Sequence, residues 1–145
     1  LALEINPMKK LLANVTSFVY PSLAFPSGVQ GKDVTRDDEI AEKYDSDPLN
    51  HNKATVRWYT EAMTAIGRVQ GGATNIRQPL LLLYGGDDRV VSADATDSFA
   101  AGLEGVNKTM ERLAGHYHEL VNEPPGYGTR IIERVADWIF THATE

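Results

Sequence analysis

One stretch restricts the possible folds of this 145-residue chain more than any other: Pro79-Leu80-Leu81-Leu82-Leu83-Tyr84-Gly85-Gly86-Asp87-Asp88. Leu80 to Tyr84 is a continuous apolar run of strand length, bounded by a proline and by two glycines. Continuous apolarity, where a half-solvated strand would alternate, marks a strand covered on both faces, and such strands belong to parallel sheets. Downstream, the Ser92 hydroxyl is placed to cap a helix carrying Phe99 and Leu103, with Asp94 at the positive end of its dipole. Thr109 to Leu113 alternates and predicts a second strand, and Ile131, Ile132, Val135, Trp138 and Ile139 share one face of a helix over about 129–141. The order βαβα is the unit of a doubly wound α/β sheet. Two parallel strands leave edges without hydrogen-bond partners, so one edge is expected to pair with a segment outside these residues.

The first half has a different character. Leu11, Leu12, Val15, Phe18 and Val19 form one helical stripe between Pro7 and Tyr20, and Pro21 stops that helix. Residues 22–36, with two breaking glycines, Gly28 and Gly31, read as a loop. A short acidic helix is predicted over Asp37 to Tyr44. A longer one is predicted from about Lys53 to Ile66, presenting Val56, Tyr59, Met63 and Ile66 before Gly71-Gly72 interrupts. This half shows no strand signal.

Composition removes several functional classes. The net charge is −6 and the basic residues are scattered, so no electrostatic footprint for nucleic acid or an anionic membrane exists. There is no Cys, hence no disulfide framework and no thiolate metal site, which fits a reducing compartment; a cytoplasmic protein is the expectation. No apolar run approaches the roughly 20 residues that span a bilayer. His51 and His142 have no partners at metal-ligand spacing, and neither a metal nor a cofactor is expected. The first residue is Leu and not Met, and the chain reads as part of a longer polypeptide.

Two residues carry the chemistry. Asp88 and His118 each lie just past the end of a predicted strand, where loops of an open parallel sheet converge on a crevice. Taken singly each has a bland reading: an Asp after Gly-Gly is often a turn residue, and a lone loop His often faces solvent. Taken together, acid before histidine, they are the last two members of a Ser…Asp…His order, although no Gly-x-Ser-x-Gly elbow precedes them. Gly86-Asp87-Asp88 could also be read as an acidic Mg²⁺ pocket of a receiver-like domain, but a helical first half lacks the repeated strands that fold needs.

The sequence around both residues resembles the monoglyceride lipase and lysophospholipase branch of the α/β-hydrolases, the group that includes serine aminopeptidase domains. Pro79 to Val91 is similar to that family's acid-bearing strand and loop, where the acid directly precedes Arg and so maps to Asp88, not Asp87. Gly115-His116-Tyr117-His118-Glu119-Leu120, followed by Asn122-Glu123-Pro124, is similar to the histidine loop, where the base follows Tyr and maps to His118, not His116. Asp87 and His116 would be neighbours of the site. Tyr44-Asp45-Ser46-Asp47-Pro48-Leu49 looks like part of the family's cap. The resemblance therefore implies a helical cap and linker over residues 1–78 and the C-terminal βαβα part of the α/β-hydrolase core over 79–145. In it the stripe on the first helix would serve either as a packing face or as the wall of an acyl channel.

The activity implied is hydrolysis of a monoacylglycerol, a lysophospholipid or a similar carboxylic ester, with Arg89 favouring the ionised form of Asp88. The family's serine elbow and oxyanion-hole motif have no counterpart in these residues, so the partner expected besides a small acyl ester is an N-terminal hydrolase segment carrying the nucleophilic serine. Peptidase, thioesterase or dehalogenase chemistry on the same scaffold stays open. The alternative from another class is a non-catalytic fragment or module that binds a lipid or a protein partner.

Overall fold

A computed structural model of the chain describes residues 7–72 and 75–142, so the first six residues of the expected cap lie outside it. Helix α1 (Pro7–Val19) ends just before Pro21, as the sequence predicts. It meets helix α4 (Val56–Gly71) through Ser17, which is buried and shares a 2.9 Å hydrogen bond with the Thr60 hydroxyl. The apolar stripe neither packs nor lines a channel among the described residues: Phe18 is 86% and Val19 75% exposed. The helix docks through its hydroxyl-bearing side, and that turns Leu11, Leu12 and Val15 outward.

The predicted loop over 22–36 holds two short elements, strand β1 (Ala24–Pro26) and the single turn α2 (Gly31–Val34). β1 pairs antiparallel with β2 (Lys53–Thr55), with Ala24 opposite Thr55 and Pro26 opposite Lys53. The first half thus contains a strand ribbon that its sequence does not announce, because three mostly exposed residues are too few to display a period. β2 also displaces the start of α4 from Lys53 to Val56. Thr55 caps that helix by accepting from the Trp58 N–H at 3.1 Å. Helix α3 (Asp38–Ser46) is capped in the same way by Asp37, whose carboxylate accepts from the Glu39 and Ile40 N–H groups.

In the second half, β3 (Leu80–Gly85) and β4 (Lys108–Leu113) pair parallel, with Leu80 opposite Lys108 and Gly85 opposite Leu113. Leu80 to Leu83 are half-buried and only Tyr84 and Gly85 are fully covered, so the chain described here shields this strand incompletely. Helix α5 (Ala93–Ala101) crosses between them, capped by Ser92, whose hydroxyl accepts from the Ala95 N–H at 3.2 Å. Its far end is closed by Lys108, whose ammonium donates to the carbonyls of Ala100 and Leu103 at 2.5 and 2.9 Å. The Tyr84 hydroxyl donates to Asp97 on α5. Burial first, and this hydrogen bond second, push the phenol up to about 12.

Helix α6 (Tyr127–His142) covers β4. Its Trp138 indole donates to the Thr109 hydroxyl at 3.1 Å and Arg134 pairs with Glu111, so polar residues take the strand face that alternation assigns to the interior. Of the predicted helix face, Ile131 is buried while Ile132 and Ile139 are exposed. Among the described residues no helix is long and apolar enough to cross a membrane.

Candidate active site

β3 ends at Gly85, and the chain turns through Gly86 and Asp87 to place Asp88 over the strand end. One carboxylate oxygen, Oδ1, accepts from the Val90 and Val91 N–H groups at 2.7 and 2.8 Å, a side-chain turn that fixes the plane of the group. The other, Oδ2, faces Nδ1 of His118 at 2.8 Å. The Asp88 side chain is 7% exposed and the imidazole 39%. Asp88 is therefore a desolvated, oriented acceptor, whereas His118 keeps one edge open. With Nδ1–H donating to Asp88, Nε2 is the free, proton-accepting nitrogen.

The histidine comes from the loop after β4, and that loop lies directly on the acid loop. Leu113 O accepts from the Gly86 N–H at 2.8 Å, and the Asp87 N–H donates to the His116 carbonyl at 3.1 Å. Gly85 makes this approach possible. A Cβ on it would stand 2.5 Å from the His116 carbonyl oxygen and closer still to that of Tyr117. Gly115 supplies the turn with φ of 75°, a backbone region that favours glycine.

Arg89 makes no hydrogen bond to the Asp88 carboxylate among the described residues. Its guanidinium lies 4.1 Å over the Tyr117 ring and donates to the Lys32 carbonyl at 3.3 Å, and the carboxylate of Asp88 is met by backbone N–H groups and His118 instead. Asp87 is exposed. His116 stands edge-on to Tyr127 with ring centroids 5.5 Å apart, and His142 stacks on Trp138; neither touches the Asp88–His118 pair.

Two residues to which the sequence assigns no role in the site complete the surroundings. Glu123, whose side chain is 0% exposed, accepts from the Tyr117 N–H at 2.6 Å through one oxygen and from Arg36 Nε at 2.5 Å through the other. A carboxylate between Asn and Pro in a loop carries no sign in sequence of its burial. His51 is the other: it and His118 both line a cleft of about 520 Å³ whose walls include Val34, Ala54, Trp58 and Val90. A second cleft of about 610 Å³ shares Ser27, Val29, Tyr44 and His51 with it and adds the polar Gln30 and Asn50. Among the described residues no three His, Cys, Asp or Glu side chains converge as a metal site. The arrangement orients one imidazole beside a half-apolar cleft, a geometry that general-base catalysis would require.

A family model described as serine aminopeptidase, S33, matches residues 1–125. Phospholipase YtpA of Bacillus subtilis is 30% identical over 125 residues, which is 86% of this chain and 48% of that protein. Monoglyceride lipase of Rattus norvegicus is 25% identical over 135 residues, 92% of this chain and 44% of that protein. The crystal structure of Paleococcus ferrophilus monoacylglycerol lipase superimposes with a TM-score of 0.86 at 24% identity, over 97% of this chain and 54% of that one, a likeness of fold. The chain spans about half the length of each of these three proteins.

Proposed function

Since the chain belongs to the serine aminopeptidase S33 family and has the fold of the C-terminal portion of an α/β-hydrolase, we propose that it supplies the acid, Asp88, and the base, His118, of a serine hydrolase acting on carboxylic esters of the monoacylglycerol or lysophospholipid type. The observation that carries this reading is the 2.8 Å contact of His118 Nδ1 with one oxygen of a carboxylate whose other oxygen is pinned by two backbone N–H groups. The names of the relatives, phospholipase and monoglyceride lipase, support the ester class.

In this mechanism a serine from a segment outside these residues attacks the ester carbonyl as its proton passes to His118 Nε2. Asp88 stabilises the imidazolium that forms. The imidazolium then protonates the departing alcohol, and a water molecule, activated by the same nitrogen, hydrolyses the acyl-enzyme. The oxyanion donors come from outside these residues as well. Residues 1–78 act as cap and linker, and 79–145 as the C-terminal part of the catalytic core. The cleft beside His118 suits an amphiphilic ester: Val34, Ala54, Trp58 and Val90 face its apolar part, while the adjoining polar cleft faces its headgroup. A cysteine-free chain fits the cytoplasm.

The test is turnover of a monoacylglycerol and of a lysophospholipid by the intact protein and its His118→Ala variant. A loss of at least roughly a thousandfold in kcat is expected, with fluorophosphonate labelling of the nucleophile suppressed in parallel. An unchanged rate in a folded variant refutes the assignment.

A further inference from the structure

Tyr117, the residue directly before His118, is held by three groups at once. Its carbonyl lies against Gly85, its ring lies under Arg89, and its N–H donates to Glu123 at 2.6 Å. The last of these is the least ordinary. Glu123 is fully buried, and a buried carboxylate is strongly destabilising unless a partner compensates its charge. The partner is Arg36, which arrives from the segment between α2 and α3.

The geometry of the pair is not that of an ion pair built for strength. An arginine and a carboxylate gain most when both oxygens face the guanidinium fork. Here only Oε2 faces Arg36, through Nε, because Oε1 is committed to the Tyr117 N–H. The guanidinium lies 5.0 Å from the Tyr127 ring centroid, and its Nη2 is buried without a hydrogen-bond partner among the described residues. Half of the fork is given up, and what is gained in exchange is a fixed peptide plane one residue from the imidazole.

We propose that Glu123, whose buried charge Arg36 compensates, is a positioning residue for His118: it sets the backbone from which the imidazole reaches Asp88 at 2.8 Å. It touches neither the acid nor the base, and it acts through the Tyr117 peptide. The role rests on the reading of His118 as the base, and the experiment separates the two.

Two neutral double variants of the intact protein isolate the acceptor from the charge. Arg36→Met with Glu123→Gln removes both charges and keeps an oxygen for the Tyr117 N–H. Arg36→Met with Glu123→Met removes both charges and that oxygen, at similar volume, so neither variant strands a buried charge. The readouts are the downfield Nδ1–H proton resonance of His118 in water, which reports its hydrogen bond to Asp88, and kcat against KM for ester hydrolysis.

The Gln variant is expected to keep the resonance and a kcat within about threefold of the parent. The Met variant is expected to lose the resonance and roughly tenfold to a hundredfold in kcat with KM unchanged, the effect of a misplaced base. If the two variants behave alike in both readouts, Glu123 does not position the histidine. The resonance decides this point even if His118→Ala proves harmless to turnover, so a failure of the catalytic assignment remains distinguishable from a failure of the positioning role.

Discussion

Asp88 divides its two oxygens between two tasks, and the division determines how the residue responds to substitution. Oδ1 is taken by the Val90 and Val91 N–H groups, and Oδ2 alone is offered to His118. In an Asp88→Asn variant the amide oxygen has to face the two N–H donors, because the NH₂ group cannot accept from them. The NH₂ then meets His118 Nδ1 and forces the proton onto Nε2, the nitrogen that must accept. Stability should change little while kcat for ester hydrolysis falls roughly ten-thousandfold, the effect of the wrong tautomer in a triad. Kinetics at neutral pH together with a thermal melt check this; a loss of both would mean that Asp88 is chiefly structural. The residues of this site differ in how far sequence exposes them. Asp88 and His118 can be paired from sequence because each lies in the loop that follows a recognisable strand. Arg36 and Glu123 cannot, since their burial depends on loops that meet only in the folded chain, 87 positions apart.

At the scale of elements the outcome follows the length of the periodic signal. β3 is legible as a continuous apolar run and β4 as an alternation, and both stand where predicted to within one residue. Ser92 caps α5 as its side-chain chemistry implies. β1 and β2 escape because a three-residue strand gives no period, and the outward turn of the α1 stripe escapes because periodicity identifies a face without saying what it meets. Gly85 is the element-level feature with the sharpest consequence. It ends β3, and its missing side chain is what allows the loops of Asp88 and His118 to touch. A Gly85→Ala methyl would press on backbone carbonyls, which cannot rotate away as a side chain could. The cost should be about 1–3 kcal/mol of stability, and activity should fall further than stability because the strain is relieved by moving the histidine loop. Denaturant unfolding paired with kcat measures both. A variant with parental stability and rate would show that the loops stand farther apart than described.

Across the whole molecule, the two halves are joined along a seam, residues 31–37 against the histidine loop. The Glu119 N–H donates to the Val34 carbonyl at 2.8 Å, the Thr35 hydroxyl donates to the Asn122 carbonyl at 2.5 Å, and Arg36 pairs with Glu123. Arg89, next to the acid, reaches the same segment at the Lys32 carbonyl. The part read as cap is thus fastened to the very loops that bear Asp88 and His118. α1, by contrast, meets α4 through Ser17 and leaves its apolar stripe uncovered. Thr35 is the keystone of the seam: it is 2% exposed, and its hydroxyl also accepts from the Asp37 N–H at 3.0 Å. A Thr35→Val substitution preserves shape while leaving the Asn122 carbonyl and the Asp37 N–H, both in part-buried hydrogen bonds, without this partner, a cost of about 1 kcal/mol. If the seam is one cooperative unit, the loss spreads to both its sides. Native-state hydrogen exchange should then show the amides of Tyr117 and Glu119 losing protection together with those of 31–37, while α5 and β4 keep theirs. Faster exchange confined to 31–37 would mean that the histidine loop is held by the sheet alone, and that movement of the first half leaves the orientation of His118 undisturbed.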